Sequence, residues 1–464
     1  MPINNFRKRT GRHLCKMASL KEQKEAFVSG HEGTTPAEIL IVCLSGVAGY
    51  WLYSVWPNNA IRPLTTEASL FWLPMVLVQS RFLYPWGVLY LVVEVVAAAI
   101  LEVQRTRTKK RPISSPRPDS SSVSLTDLNQ QHGALTMHRC IVMYLTFVAI
   151  LAVDFPLFPR RFAKTETAGY SLMDVGAASF ALLAGLSSPR ARHGRPRSWK
   201  REIWRMLPLV FMGSLRLLTH QEIEYQEHVS EYGVHWNFFY TLAVLGPLTA
   251  LLPGPTWILP IVLMLVYQYF LSNVGLQEMI EEAPRKCLQE ESSFLCHLYM
   301  ANREGLLGCI GYVSIYLIGE WIGSRVLWIK ISENVIQQLS QTSMWIAILW
   351  RVVVVLGIPV SRRSTNLGFV LWTLVVNLPF LTLILLIYQR HQRVTFLARL
   401  VNRHGLVCFI VANLLTGIVN LSINTLETGD YTAIGILLAY LTALGIFVML
   451  LEGLLEYLRK PKQS

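Results

Sequence analysis

Residues 151–166, LAVDFPLFPRRFAKTE, place the carboxylate Asp154 at the lip of an apolar run, with the cations Arg160, Arg161 and Lys164 just beyond it. Pro156 and Pro159 lie between them and force an extended exit, because proline fixes its own φ and disfavours helix in the residue before it. A turn of that kind can return Lys164 to Asp154. A carboxylate at the mouth of an apolar span is costly to desolvate unless it has a task. Paired with a cation, it can take a proton from a hydroxyl as a general base. The ammonium can keep the carboxylate ionised or receive developing negative charge. The same residues also describe a structural ion pair that closes a helix end.

Three further segments carry groups of the right kind. Residues 222–237, EIEYQEHVSEYGVHWN, hold Glu222, Glu224, Glu227 and Glu231 together with His228, His235 and Asn237. The two histidines are two helical turns apart and can share a face, which suits proton transfer or metal binding. The metalloprotease spacing HExxH is absent, and a histidine beside Trp236 at a span mouth also fits plain interfacial anchoring. Residues 301–305, ANREG, offer Arg303 as a phosphate contact next to Asn302 and Glu304; a charged helix cap explains them equally. Along 413–426, NLLTGIVNLSINTL, the residues Asn413, Thr416, Asn420 and Asn424 recur every three or four positions, a polar stripe for helix–helix hydrogen bonds or for a ligand groove.

The elements that position these groups are read from composition. The 464 residues are 52% hydrophobic and 15% charged, with a mean hydropathy of +0.39. Soluble domains carry about 25% charged residues. Apolar runs long enough to cross a bilayer recur from end to end. An all-α, polytopic membrane protein of about thirteen helices follows. The spans are expected near 37–56, 68–80, 85–103, 140–155, 169–187, 203–219, 235–252, 256–272, 304–320, 343–360, 366–388, 404–424 and 433–457. They make one membrane domain, 37–457, between a polar arm, 1–36, and a basic tail, 458–464. The arm has no apolar core before a cleavage site, so the first span is expected to act as the insertion signal. No internal repeat of the kind that builds inverted-repeat transporters is visible.

The net charge of +13 sits in short loops, which points to anionic headgroups and orientation signals rather than to nucleic acid. Lys and Arg concentrate in segments that follow odd-numbered spans, so those segments and the C-terminus are expected to be cytosolic. The basic N-terminal arm runs against this count. The loops after even-numbered spans, among them 155–168, 220–234, 273–303 and 427–432, then share the luminal face. Residues 104–139, rich in Ser, Pro and charge, read as a disordered cytosolic linker. Residues 188–202, SPRARHGRPRSWKRE, read as a basic segment facing lipid headgroups. Lys460 and Lys462 near the C-terminus are similar to a dilysine retrieval signal of the endoplasmic reticulum, or to a headgroup anchor. Of the charges inside spans, Asp174 is expected to pair with Arg205 or Arg216. The seven cysteines form no CxxC pair; Cys287 and Cys296 share one loop, as a disulfide if that loop is luminal or as two thiols.

Residues 152–166, 225–239 (YQEHVSEYGVHWNFF) and 301–305 closely resemble the PIG-W inositol acyltransferase family of glycosylphosphatidylinositol (GPI) anchor biosynthesis. KEAFVSG and GTTPAEI, within 24–39, resemble the family's N-terminal signature, and 413–426 its late-span motif. The order and spacing of all five segments hold from about Lys24 to Leu455. One departure lies at Thr167–Asp174, where the family has a Tyr-Gly step before its Met-Asp.

The resemblance implies transfer of a fatty acyl chain, usually palmitoyl, from acyl-coenzyme A to the inositol 2-hydroxyl of glucosaminyl-phosphatidylinositol. It implies a site in the endoplasmic reticulum membrane with the signature loops luminal. By matching position Asp154 and Lys164 are the catalytic pair, with Asp154 as base. Arg160, Arg161 and Arg303 then hold phosphate. His228, His235, Asn237, Asn302 and Asn420 become substrate contacts. Acyl-CoA (palmitoyl-CoA) is a co-substrate, and no metal or tightly bound cofactor is required. Two competing classes stay open: a lipid transporter or scramblase, and a histidine-centred O-acyltransferase with another acceptor.

Overall fold

Inside a bilayer every backbone N–H and C=O must be satisfied within the protein, which leaves helices or a closed barrel. The computed structural model of the chain takes the helical solution. It describes residues 31–57, 63–108, 125–195, 197–222, 232–254, 256–285, 294–327 and 334–459, apart from the side chains of 125–132, 216, 218–222 and 326. Each of the thirteen expected spans falls on a helix or a run of helices. Among the described residues eight helices are long and apolar enough to cross a membrane. Pro63–Val78, Phe238–Leu251 and Ile258–Asn273 are apolar but shorter. Trp199–Glu222 and Asn334–Val355 are long but carry more polar residues.

Burial sorts the long helices into two shells. Gly133–Ala152 is 83% buried and Leu367–His391 78%, whereas Trp86–Arg107 and Gly405–Ser422 are each 17% buried. The first pair forms the centre, packed by Pro36–Val55, Leu172–Leu186 and Arg303–Ile322. The exposed apolar side chains of the outer helices, such as Val92, Val96 and Ile100 at helical spacing, face the acyl chains of the bilayer. Glycines bring the inner helices close. A Cβ on Gly185 would run into the Tyr316 carbonyl oxygen, and one on Gly319 into that of Leu182.

Side-chain caps start the helices that frame the site. Ser171 accepts from the Asp174 N–H, Asn237 from the Phe239 and Tyr240 N–H groups, and Asn366 from the Phe369 N–H. The ends gather on two faces. On one face, the Thr34 N–H donates to the Tyr170 carbonyl (2.7 Å), and the Arg81 N–H to that of Leu157 (2.8 Å). Arg81 pairs with Asp430 on this same face. On the other face, Arg139 donates to Asn402 (3.2 Å) and Ser187 (3.0 Å), while Arg403 and His404 hold Glu452. The first helix therefore begins on the Asp154 face, and the last ends opposite it.

Three expectations change. Trp86–Thr108 and Leu125–Ala152 take both flanks of the expected linker 104–139 into helix, and 109–124 lie outside the described residues. The 188–202 segment does not simply face headgroups. Arg190 is buried against Glu320 (3.3 Å), and Arg197 against Glu202 (2.9 Å), because carboxylates on neighbouring helices draw these cations inward. Asp174 pairs with Arg362 at 2.6 Å, not with Arg205. Arg205 bonds Glu202 at the opposite end of the bundle, while Asp174 sits in the first turn of its helix on the Asp154 face; the Arg216 side chain lies outside the described residues. So do Lys460, Lys462 and Cys287. Cys296 is disulfide-bonded.

Candidate active site

Asp154 follows the last turn of Leu125–Ala152. There the backbone tightens, with the Asp154 N–H reaching the Leu151 carbonyl (3.2 Å) and the Phe155 N–H that of Ala152 (3.0 Å). The prolines that follow release carbonyls with no helical partner. Arg160 collects them: its guanidinium donates to the carbonyls of Val153 (2.9 Å), Phe155 (3.0 Å) and Phe158 (2.9 Å). A planar fork suits this task, since an ammonium cannot span three acceptors at fixed angles. Burial pulls the Arg160 pKa down to about 10, against the Asp154 charge which raises it, so the side chain stays cationic at neutral pH. Phe155, Phe158 and Phe162 are buried beneath the loop and pin it to the core.

Asp154 and Lys164 line the same cavity, about 760 Å³ in volume. Its walls come from Leu125–Ala152, Leu172–Leu186, Trp199–Glu222, Phe238–Leu251, Leu367–His391 and Gly405–Ser422, through side chains such as Met143, Phe180, Leu209, Leu242, Phe380 and Phe409. Asp154, Lys164, Asn237 and Arg362 mark one end; Arg139, Asn402 and Arg403 mark the other. From Arg139 to Asp154 the helical rise is about 20 Å, so the cavity runs through most of the bundle. A mostly apolar cleft with a few convergent polar groups is the usual form of a small-molecule site. At the Asp154 end, the Asn420 amide donates to Asp154 Oδ2 at 2.7 Å. The late polar stripe thus delivers one member to the carboxylate.

Lys164 is held through its neighbour. The Thr165 N–H and hydroxyl both donate to Asp174 Oδ2 (3.2 and 2.7 Å), and Asp174 Oδ1 meets Arg362 Nε (2.6 Å). Arg362 lies over the Tyr232 ring, 5.6 Å from its centroid. The loop after Asn334–Val355 bears Arg362 and keeps Thr365 at φ +48°, a left-handed conformation that is strained for a β-branched residue. Gly311 makes room for it, since a Cβ there would strike the Thr365 carbonyl.

The other expected contacts are distributed differently. Arg161 pairs with Glu38 (2.8 Å), tying the N-terminal signature to the Asp154 loop. Arg303 is buried and donates to the carbonyls of Ile280 (3.1 Å), Pro284 (3.1 Å) and Ala283, so its guanidinium serves the 280–284 loop. Asn302 accepts the His235 N–H (2.7 Å) and donates to the Leu298 carbonyl (2.8 Å). Asn237 lines the cavity, but its amide caps a helix and donates to the Gly213 carbonyl (2.9 Å). His235 is exposed, and it does not line the cavity although Val234 and Trp236 do. His228 lies outside the described residues. Sequence reading passed over Arg362. The signal was there: Arg362 and Arg363 are adjacent cations on the face expected to be poor in Lys and Arg.

The GWT1 family profile matches residues 20–451. The chain is 33% identical to GPI-anchored wall transfer protein 1 of Aspergillus oryzae over 91% of its length and 96% of the relative's. It is 33% identical to the protein of that name in Yarrowia lipolytica, covering 94% and 98%. For the Kluyveromyces lactis protein the identity is 32%, over 93% and 96%.

Proposed function

The chain belongs to the GWT1 family, which is the PIG-W family, and on that footing we propose that it acylates the inositol of a GPI precursor in the endoplasmic reticulum membrane. The acceptor is the 2-hydroxyl of glucosaminyl-phosphatidylinositol, and the donor a long-chain acyl-CoA such as palmitoyl-CoA. One observation supports this reading above the rest: Asp154 and Lys164 share one mouth of an apolar cavity that extends about 20 Å into the bundle. Such a cavity suits a long acyl chain with its reacting carbon at the polar end.

An alcohol is a weak nucleophile and needs a base as it attacks. Asp154 takes the proton of the inositol hydroxyl while its oxygen bonds to the thioester carbonyl carbon. The Asn420 amide orients the carboxylate for this step. The carbonyl oxygen becomes an oxyanion, and Lys164 stabilises it. The C–S bond then breaks, the proton held by Asp154 goes to the departing sulfur, and an ester and free coenzyme A remain. Arg160 holds the loop that carries the base. Positions 160, 161 and 303 act by shaping the site, in keeping with their bonds to carbonyls and to Glu38.

Purified protein in phospholipid vesicles tests the reading with labelled palmitoyl-CoA and glucosaminyl-phosphatidylinositol. Label is expected in the inositol lipid, in an amount matching the coenzyme A released. Release of coenzyme A without labelled lipid, or no turnover by folded protein, would contradict it. Lipid crossing the vesicle without acylation would favour a transporter.

A further inference from the structure

Lys164 reaches the cavity from a loop, and loops hold catalytic groups loosely unless something fixes them. Here the residue after it is fixed. Thr165 is 2% exposed and gives both its N–H and its hydroxyl to one oxygen of Asp174. Asp174 is 2% exposed, and its own N–H is capped by Ser171 (3.2 Å). Its second oxygen meets Arg362, 5% exposed, which also lines the cavity. The Arg362 carbonyl accepts from the Thr365 N–H and hydroxyl, both at 3.1 Å. In the same loop, Ser361 donates to the Thr167 carbonyl (2.8 Å). Charges this deeply buried are tolerated only when paired, and Asp174 and Arg362 pair with each other. The alternatives to this one arrangement are therefore few.

We infer that Thr165, Asp174 and Arg362 form a positioning relay that sets where Lys164 stands relative to Asp154. This inference rests on the reading above, in which Lys164 serves acyl transfer. The relay joins three parts of the mouth: the Asp154 loop through Thr165, the Leu172–Leu186 helix through Asp174, and the Tyr232 wall through Arg362. None of the three residues needs to touch the reacting atoms. Their effect is on rate, because a displacement of about 1 Å of a catalytic group can cost on the order of 100-fold.

Thr165→Val is the sharpest probe, since it keeps shape and the backbone N–H while removing the hydroxyl. Its kcat should fall about 10- to 100-fold, with KM for palmitoyl-CoA within about twofold and the protein still folded at the assay temperature. Thr165→Ser should restore the rate. Asp174→Asn should be slow, and adding Thr165→Val to it should slow it no further than about twofold, because both act through one contact. A Thr165→Val enzyme at the wild-type rate would overturn the relay. So would losses that multiply in the double variant, or a loss that only tracks the folded fraction. Lys164→Ala at the wild-type rate would instead sink the reading of Lys164 itself, whatever Thr165 shows.

Discussion

The tightened turn that carries Asp154 and the Asn420 amide at 2.7 Å both orient its carboxylate. Asn420→Leu should leave the first and remove the second. The expected result is a kcat about tenfold lower with KM for the acyl donor unchanged, measured in the vesicle assay. Arg160→Lys should fare worse than its conserved charge suggests, because an ammonium cannot collect the carbonyls of Val153, Phe155 and Phe158 together. Limited proteolysis across 151–166 should show a loosened loop in that variant, and protection equal to wild type would contradict the clamp. That Asp154 and Lys164 would share one mouth was legible in the sequence, because the two prolines between them turn the chain back. Arg303, Asn302 and Asn237 were not, because capping a helix and binding a polar ligand call for the same residue types. In the folded chain each of these side chains meets a backbone carbonyl.

At the level of elements, polar locks between loops keep the mouth in shape. Glu304 is buried and pairs with Arg285 (2.7 Å) and Arg363 (3.1 Å), joining the 276–285 segment, the Arg303–Ile322 helix and the Arg362 loop. Glu304→Gln should cost about 3 kcal/mol, because it leaves two cations without their counter-charge. A clear drop in the thermal midpoint of detergent-solubilised protein is expected, and an unchanged midpoint would show that the lock is slack. Gly185→Val should lower the folded yield by forcing Leu172–Leu186 away from Arg303–Ile322 at the Tyr316 carbonyl. Helix positions were readable since hydropathy runs mark them directly. Partnerships were not: Asp174 took Arg362 rather than Arg205, because pairing depends on which helix ends share a face. The burial of Arg190 was hidden for the same reason, as its partner Glu320 lies far off in sequence.

Across the whole molecule, the two ends of the cavity differ in chemistry, with Asp154 and Lys164 at one and Arg139 and Arg403 at the other. The four free cysteines among the described residues are buried, so labelling above that of the parent chain reports the side of an introduced thiol. In sealed microsomes, an impermeant thiol reagent should label Glu456→Cys directly and Glu427→Cys only after the membrane is opened, both positions being exposed. The reverse pattern would invert the orientation. The most direct measurement compares wild type with Asp154→Asn in vesicles given labelled palmitoyl-CoA and glucosaminyl-phosphatidylinositol. The account predicts label in the inositol lipid for wild type, and a rate at least about 100-fold lower for folded Asp154→Asn. Asp154→Asn transferring acyl chains at a rate near wild type would contradict it and move the base elsewhere.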